Sequence, residues 1–289
     1  MLTRTATVGD VEHGWYFYGI TRRGALARAL AGAEGEHHIV TDPPPNGSDV
    51  APLQLLEFLG LAAVVRPVLL ADFTLAALRA RLQNASAVEA AVRSHNRVIE
   101  AIHAQQAILP AKFGMVYAHA EEVVSALRPA HDTLVHQLYR LEGCDEWAVH
   151  LYADRAVVRE RISTGDAAIR RLRDERAAAR PGRAYFLEQQ LRDELESATR
   201  QALVTLSQKV FDRLADHAVA GQMNPIGSAA DLVGEVEILR ASFLVQRDAA
   251  ERFEAEVRAA ADPGDGLRYE SSGPWPPYSF AGQNEEEPE

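Results

Sequence analysis

One cysteine, Cys144, in 289 residues leaves no partner for an intrachain disulfide and no thiolate set for a zinc or iron–sulfur cluster. A reducing compartment suits such a chain. Basic residues are also short, 30 Lys and Arg against 41 Asp and Glu, and the resulting net charge of −11 repels a phosphate backbone. No apolar run nears the roughly 20 residues that cross a bilayer, and the opening MLTRTATVGDVEHG lacks the apolar core of a signal peptide. The expectation is a soluble, cytoplasmic protein with neither nucleic acid nor membrane lipid as partner.

The signatures of catalysis are missing too. There is no HExxH, CxxC, GxSxG or GxxxxGK[ST], and Gly32-Ala33-Glu34-Gly35 lacks the third glycine and the preceding strand of a dinucleotide loop. Histidine is present ten times, but its spacing does not serve metal chemistry. His95 and His103, eight residues apart on a helix, are separated by about 12 Å along its axis. His131 and His136 face different ways, and His37-His38 on a strand would point to opposite faces. Ser94 beside His95 makes a poor dyad, because adjacent helical positions project about 100° apart. We therefore expect no metal, no cofactor and no catalytic residue.

Hydrophobic residues at 47% and charged ones at 25% are an ordinary globular balance, and the length suits two domains. Residues 14–20, GWYFYGI, have the composition of a buried strand. A short helix is expected at 22–30 and a strand at 37–40. The segment TDPPPNGSDVAP at 41–52 reads as a loop, followed by a strand at 61–68 with Pro67 near its end. From Asn84 an apolar stripe of Val88, Val92, His95, Ile99 and Ile102 marks a helix with His95 on its buried face. Pro110 forbids helix at Leu109, so Leu109 is expected to turn the chain into a strand at 111–117. A helix at 120–141, carrying Val124, Leu127, His131, Leu134, Leu138 and Leu141, ends at Gly143.

Trp147, Val149 and Leu151 alternate in a strand at 145–152. Asp154 then caps an Ala- and Arg-rich helix running to about 180, Pro181-Gly182 breaks it, and a second helix spans 184–216, together an antiparallel hairpin or coiled coil. Asp166, Asp174 and Glu175 interrupt the run Arg170, Arg171, Arg173, Arg176 and Arg180, which reads as a solvated face rather than an RNA ridge. Strands at 217–223 and 236–245, a helix at 246–261 and a strand at 267–271 complete the order βαββαβ. The fold class predicted is α+β in two domains. An N-terminal α+β domain covers 1–142, and a modified ferredoxin-like domain with long helices at about 154–216 covers 143–280. Residues 281–289 form an acidic disordered tail. The proline-rich GPWPPYSF near the C-terminus is expected to act as an aromatic clamp.

Four blocks together resemble one family: WYFYGI; His95-Asn96-Arg97-Val98-Ile99-Glu100 leading to Leu109-Pro110-Ala111-Lys112-Phe113-Gly114; Gly182-Arg183-Ala184-Tyr185-Phe186-Leu187; and Gly273-Pro274-Trp275-Pro276-Pro277-Tyr278-Ser279-Phe280. In this order they are similar to the gas vesicle protein F/L family (GvpF/GvpL). Lys112 and Met115 depart from it, standing where the family usually has arginine and threonine. The resemblance implies a cytoplasmic accessory or minor structural protein of gas vesicles, without catalysis. Its implied partners are the small hydrophobic shell protein and other gas vesicle accessory proteins, and the named signature residues would be structural or partner-binding. Two other readings of the residues stay open here. One is a small-molecule-binding or enzymatic ferredoxin-like protein with a cleft around His95, Lys112 and Tyr117; the other is a component of the mature shell. The segment from Ser94 to Tyr117 is itself expected to be a helix-to-strand hinge.

Overall fold

The computed structural model describes residues 13–24, 52–226, 234–260 and 266–282. The strand expected at 37–40, most of the helix at 22–30, nearly all of the loop at 41–52, and the tail beyond 282 lie outside the described residues. The chain divides into two units, one of residues 1–144 with 275–289 and one of residues 145–274. The segment from Trp275 onward, expected with the second domain, thus groups with the first unit.

In the first unit, β1 (His13–Arg22) is the strand that the others join. β2 (Gln54–Phe58), β3 (Leu61–Leu69), β1 and β4 (Ile108–Pro110) form a sheet in that order, and β5 (Val116–Tyr117) also pairs with β1. All these pairings are antiparallel. Pro67 sits opposite Trp15 of β1, while β2 reaches along β3 only to Val65, so the missing N–H falls beyond the end of β2. The register shifts between Phe17 and Gly19, a bulge at Tyr18. Gly19 has φ of +153°, and a Cβ there would lie 2.4 Å from the Leu109 carbonyl oxygen, so only glycine lets β4 approach.

Helix α1 (Leu75–Leu82) leads to α2 (Ala85–His103), whose N-cap Asn84 accepts from the Ala87 N–H at 3.2 Å. α2 buries Ala91, Ser94, His95, Val98, Ile99, Ile102 and His103. Val88 and Val92, expected in the stripe, are half-buried. The buried band is rotated from the expected line because small residues, Ala91 and Ser94, let the helix approach the sheet. The turn comes at residues 104–107, and Leu109 is not its site. Leu109 lies inside β4, opposite Ile20. The extended backbone that proline imposes on its predecessor serves a strand as well as a turn. The strand expected at 111–117 is confined to β5, because the chain bends at Gly114, φ +87°.

The helix expected at 120–141 is two, α3 (Ala120–Leu127) and α4 (His131–Arg140), separated by a single 3₁₀ turn containing Pro129. His131 holds α4 to the β2–β3 turn. Its Nε2 lies 3.0 Å from the carbonyl of Leu59, which has φ of 46°, and its Nδ1 lies 2.8 Å from Asp132 Oδ1.

The second unit opens with β6 (Cys144–Asp154), where Trp147, Val149, Leu151 and Ala153 face one core. Asp154 accepts from the N–H groups of Ala156 and Val157 and starts α5 (Arg155–Gly165). The expected single helix to 180 is broken at Asp166, which accepts in the same way from Ala168 and Ile169 and starts α6 (Ala167–Ala178). An aspartate after a glycine stops one helix and caps the next. Pro181 is the first residue of α7 (Pro181–Ala215), so Pro-Gly begins this helix instead of lying in a loop between helices. α5 and α6 both pack along α7. β7 (Ala220–Met223), β8 (Glu235–Gln246), α8 (Ala250–Ala260) and β9 (Leu267–Trp275) follow, and the sheet runs β7-β8-β6-β9. Phe243 anchors its helix-covered face, with ring centroids 5.5 Å from Phe211 and 5.3 Å from Phe253. Mixed α/β architecture with two antiparallel sheets is the result.

The His131 contacts give a pH dependence with a defined sign. Hydrogen bonds to Asp132 and to the Leu59 carbonyl raise its pKa above the free value, since only the imidazolium donates from both nitrogens. This contribution is complete below about pH 6.5 and is lost as pH rises through the elevated folded pKa. Relative to His131→Asn, the wild-type melting temperature is expected to fall between about pH 6 and about pH 8. Parallel melting curves for the two proteins would show that the ring does not bridge as a cation.

Candidate functional site

Most of the residues singled out by sequence lie in the first unit. β1 contributes Tyr16 and Tyr18, the buried face of α2 contributes His95, and the turn after β4 contributes Phe113 and Gly114. Tyr16 Oη donates to His95 Nδ1 at 3.1 Å and accepts from the Gly114 N–H at 3.0 Å, bridging helix to turn. The His95 ring stacks on Tyr18, centroids 5.5 Å apart and planes 18° from parallel, and meets the Phe113 ring edge-on at 5.6 Å. Only 1% of His95 is exposed.

Electrostatics follow from that enclosure. Burial drives the His95 pKa down to about 4, with the Ala111 carbonyl opposing part of the effect. Burial likewise pushes the Tyr16 hydroxyl up, so it stays protonated and donates. His95 is accordingly neutral with its proton on Nε2, an atom that makes no hydrogen bond of ordinary geometry among the described residues. A base with so low a pKa, sealed under rings, is poorly matched to proton transfer near neutrality. A cleft using His95 needs that ring to reach solvent, and it does not. Lys112 is exposed, on the surface above this cluster's turn.

The C-terminal segment closes over α2. Tyr278 Oη donates to Asn96 Oδ1 at 2.9 Å, and its pKa is raised by burial and then by the Glu100 carboxylate. Pro276, Pro277 and Phe280 are buried, whereas Trp275 is half exposed. The two helix residues flanking His95 in the signature, Asn96 and Glu100, thus face the tail, and His95 faces the sheet. Pro110 ends β4 at the same cluster. Gly273 and Pro274 belong instead to the second unit, where a Cβ on Gly273 would lie 3.0 Å from the Glu146 carbonyl oxygen. Gly182 and Tyr185 stand apart at the start of α7, with open space around Gly182 and Tyr185 exposed.

Sequence reasoning missed the polar face of the second sheet. His150 Nδ1 lies 2.7 Å from Glu237 Oε1, and Arg240 grips both Glu237 oxygens at 3.0 and 2.7 Å. Burial alone would raise the Glu237 pKa, but the bonds from Arg240 and His150 outweigh it and hold the carboxyl below its usual range. Arg268 lies 4.2 Å over the Tyr152 ring and pairs with Glu235 and Glu270 at 3.0 and 2.6 Å. The alternation of β6 places His150 and Tyr152 opposite the core residues, which was the only signal. Among the described residues no group of three His, Cys, Asp or Glu could hold a metal ion.

The family described as "Gas vesicle synthesis protein GvpL/GvpF" matches residues 14–282. Gas vesicle protein L of Streptomyces sp. (strain CB03234) is 31% identical over 275 residues, covering 94% of each chain. Gas vesicle protein F of the same strain is 26% identical over 187 residues, 65% of this chain and 75% of that one. Among solved structures, GvpF from Anabaena sp. PCC7120 superposes with a TM-score of 0.61 at 20% identity, covering 93% of this chain and 96% of that one. GvpF from Microcystis aeruginosa gives 0.59 at 18% identity, covering 93% and 98%. These two share the fold.

The depressed His95 pKa makes acid destabilising in a stated window. The unfolded ring binds a proton near pH 6.5 and the folded ring near pH 4, so stability is complete above 6.5 and is lost as pH falls towards 4. The loss amounts to about 3 kcal/mol. Urea unfolding of the wild type is expected to show this excess acid sensitivity over His95→Phe. Equal sensitivity of the two proteins would mean that His95 is solvated and titrates normally.

Proposed function

The chain belongs to the GvpL/GvpF family of gas vesicle synthesis proteins, and from that premise we propose that it is a non-enzymatic assembly factor that binds the small hydrophobic shell protein and assists gas vesicle nucleation or assembly. The observation that carries this reading is the match along nearly the whole chain to a gas vesicle protein L. The neutral, enclosed His95 supports a structural role for the signature residues around it. A shell protein exposes apolar surface before it assembles, and such surface aggregates unless it is held or templated. A protein that meets it carries out recognition, which needs a rigid scaffold and no reacting groups. Other gas vesicle accessory proteins are its further partners, and its place is the cytoplasm, in association with the vesicle.

The second unit is read here as a modified ferredoxin-like domain. Its element order from β6 to β9 and its strand order β7-β8-β6-β9 support that assignment, with α5, α6 and α7 replacing the single first helix. On this reading an N-terminal α+β domain, together with the segment from Trp275 onward, precedes and flanks the ferredoxin-like one.

Deletion of the gene in a vesicle-forming host, followed by electron microscopy, tests the role. Loss of vesicles, restored by the wild-type gene, is expected, together with retention of shell protein by the purified full-length chain in a pull-down. Normal vesicles in the deletion strain and an empty pull-down would overturn the proposal.

A further inference from the structure

Among the described residues β7 has one neighbour, β8, and its other edge is open. The Asn224 N–H reaches the Arg240 carbonyl at 2.7 Å, and since hydrogen-bonded pairs alternate along an antiparallel ladder, the backbone of Gln222 bonds that of Ser242 as well. The N–H and C=O groups of Gly221 and Met223 therefore point away from β8. Neither residue forms a backbone hydrogen bond elsewhere among the described residues. The open stretch has sharp limits: the Val219 N–H is spent on the Leu244 carbonyl at 2.7 Å, and Pro225 has no N–H to offer.

An unpaired edge invites another strand, and the other strands at the ends of the two sheets carry features that discourage one. β2 contains Glu57, paired with Arg23 at 3.0 Å, β4 ends in Pro110, and β9 contains Arg268, Glu270 and Pro274. β7 has no such guard. Residues 218–226, AVAGQMNPI, carry no charge in a chain whose net charge is −11. Val219 and Met223 are exposed at 47% and 40%, on the same face of the strand as Gly221. A Cβ on Gly221 would lie 3.1 Å from the rings of Phe211 and Phe243, so that face is the helix-covered one.

We propose that β7 pairs antiparallel with β7 of a second copy of this chain, joining two four-stranded sheets into one of eight strands. With the two-fold axis at Gln222, Gly221 of each copy faces Met223 of the other. Their N–H and C=O groups then bond reciprocally, using every outward donor between Val219 and Pro225. The methionine side chain lies over the glycine, where no side chain opposes it, and beside the Phe211 and Phe243 rings. Gln222 stands next to its own copy on the opposite face, and a primary amide carries both donor and acceptor for that pairing. Charge selects the second copy over other strands. Two chains of like net charge repel wherever carboxylates face each other, so they can meet closely only along a stretch without charge. A basic partner would be drawn to the acidic surfaces and would gain nothing from a neutral edge. Such a dimer is independent of whether the chain binds shell protein.

Sedimentation equilibrium of the purified full-length chain tests this, with three proteins compared: wild type, Met223→Pro and Met223→Glu. Proline at 223 removes an outward N–H while sparing the bonds to β8, and glutamate there sets negative charge against a second copy of net charge −11. The position is exposed, so melting followed by circular dichroism is expected to match wild type in both. From about 1 to about 200 µM, the wild-type mass is expected to rise from 31.7 kDa towards twice that value, with dimer dissociation constants at least tenfold higher in each variant. Salt raised from about 0.05 to about 0.5 M is expected to tighten the wild-type dimer, because it screens the repulsion between the chains. A dimer that both variants keep at wild-type strength would overturn the assignment to β7, and one that salt weakens would place charged pairs in the interface and overturn it as well. Wild type that stays monomeric over the whole range would overturn self-pairing altogether and leave the edge to an extended segment of another protein.

Discussion

A neutral imidazole buried among rings constrains the whole first unit. His95 cannot carry charge where it sits, so its one acceptor, Nδ1, needs a donor, and the Tyr16 hydroxyl supplies it. That hydroxyl has a second site to satisfy, and the Gly114 N–H fills it. Three elements are thereby held in one arrangement: β1, α2 and the turn between β4 and β5. The close pass of β4 over Gly19 and the docking of Tyr278 on Asn96 depend on the same placement of α2. Moving any of the three elements away would strip the His95 Nδ1 or the Gly114 N–H of its partner, in addition to Nε2, which already lacks one among the described residues.

The two units solve the same problem differently. The first buries Tyr16, Phe17 and Tyr18 of β1, two of them against His95. The second builds an aliphatic and phenylalanine core on one face of its sheet and sets charged pairs on the other, His150 with Glu237 and Arg240, and Arg268 with Glu235 and Glu270. Its longest helix, α7, buries only Leu187, Thr199, Val210 and Leu214 along 35 residues. Its C-terminal half lays Leu203, Leu206, Val210, Phe211 and Leu214 on that core, while α5 and α6 pack along the helix.

Local physics was legible in the sequence, and long-range pairing was not. The alternation of Trp147, Val149 and Leu151 predicted a half-buried strand, and those three side chains are buried in β6. Asn84 and Asp154 were readable as helix starts because a cap acts within three residues. Pro129 and the pair Gly165-Asp166 carried equally local signals for helix breaks, but the apolar and Ala/Arg periodicity around them masked those signals. Leu109-Pro110 was ambiguous in principle, since the extended backbone it demands belongs to turns and strands alike. The bonds that define the site join Tyr16 to His95 across 79 residues and Asn96 to Tyr278 across 182, distances over which periodicity says nothing. His95 itself was placed on a buried face by its spacing, yet its neutrality depends on ring neighbours from two other segments, Tyr16 and Tyr18 of β1 and Phe113 of the turn after β4.

The protonation state of His95 is the sharpest point of this account, because a structural histidine and a catalytic one differ there. Long-range ¹H–¹⁵N correlation of the His95 ring in the full-length protein reads it directly. The neutral tautomer with the proton on Nε2, unchanged from about pH 7.5 down to about pH 5, is the predicted result. A ring that titrates near pH 6.5, or one protonated on Nδ1, would contradict it.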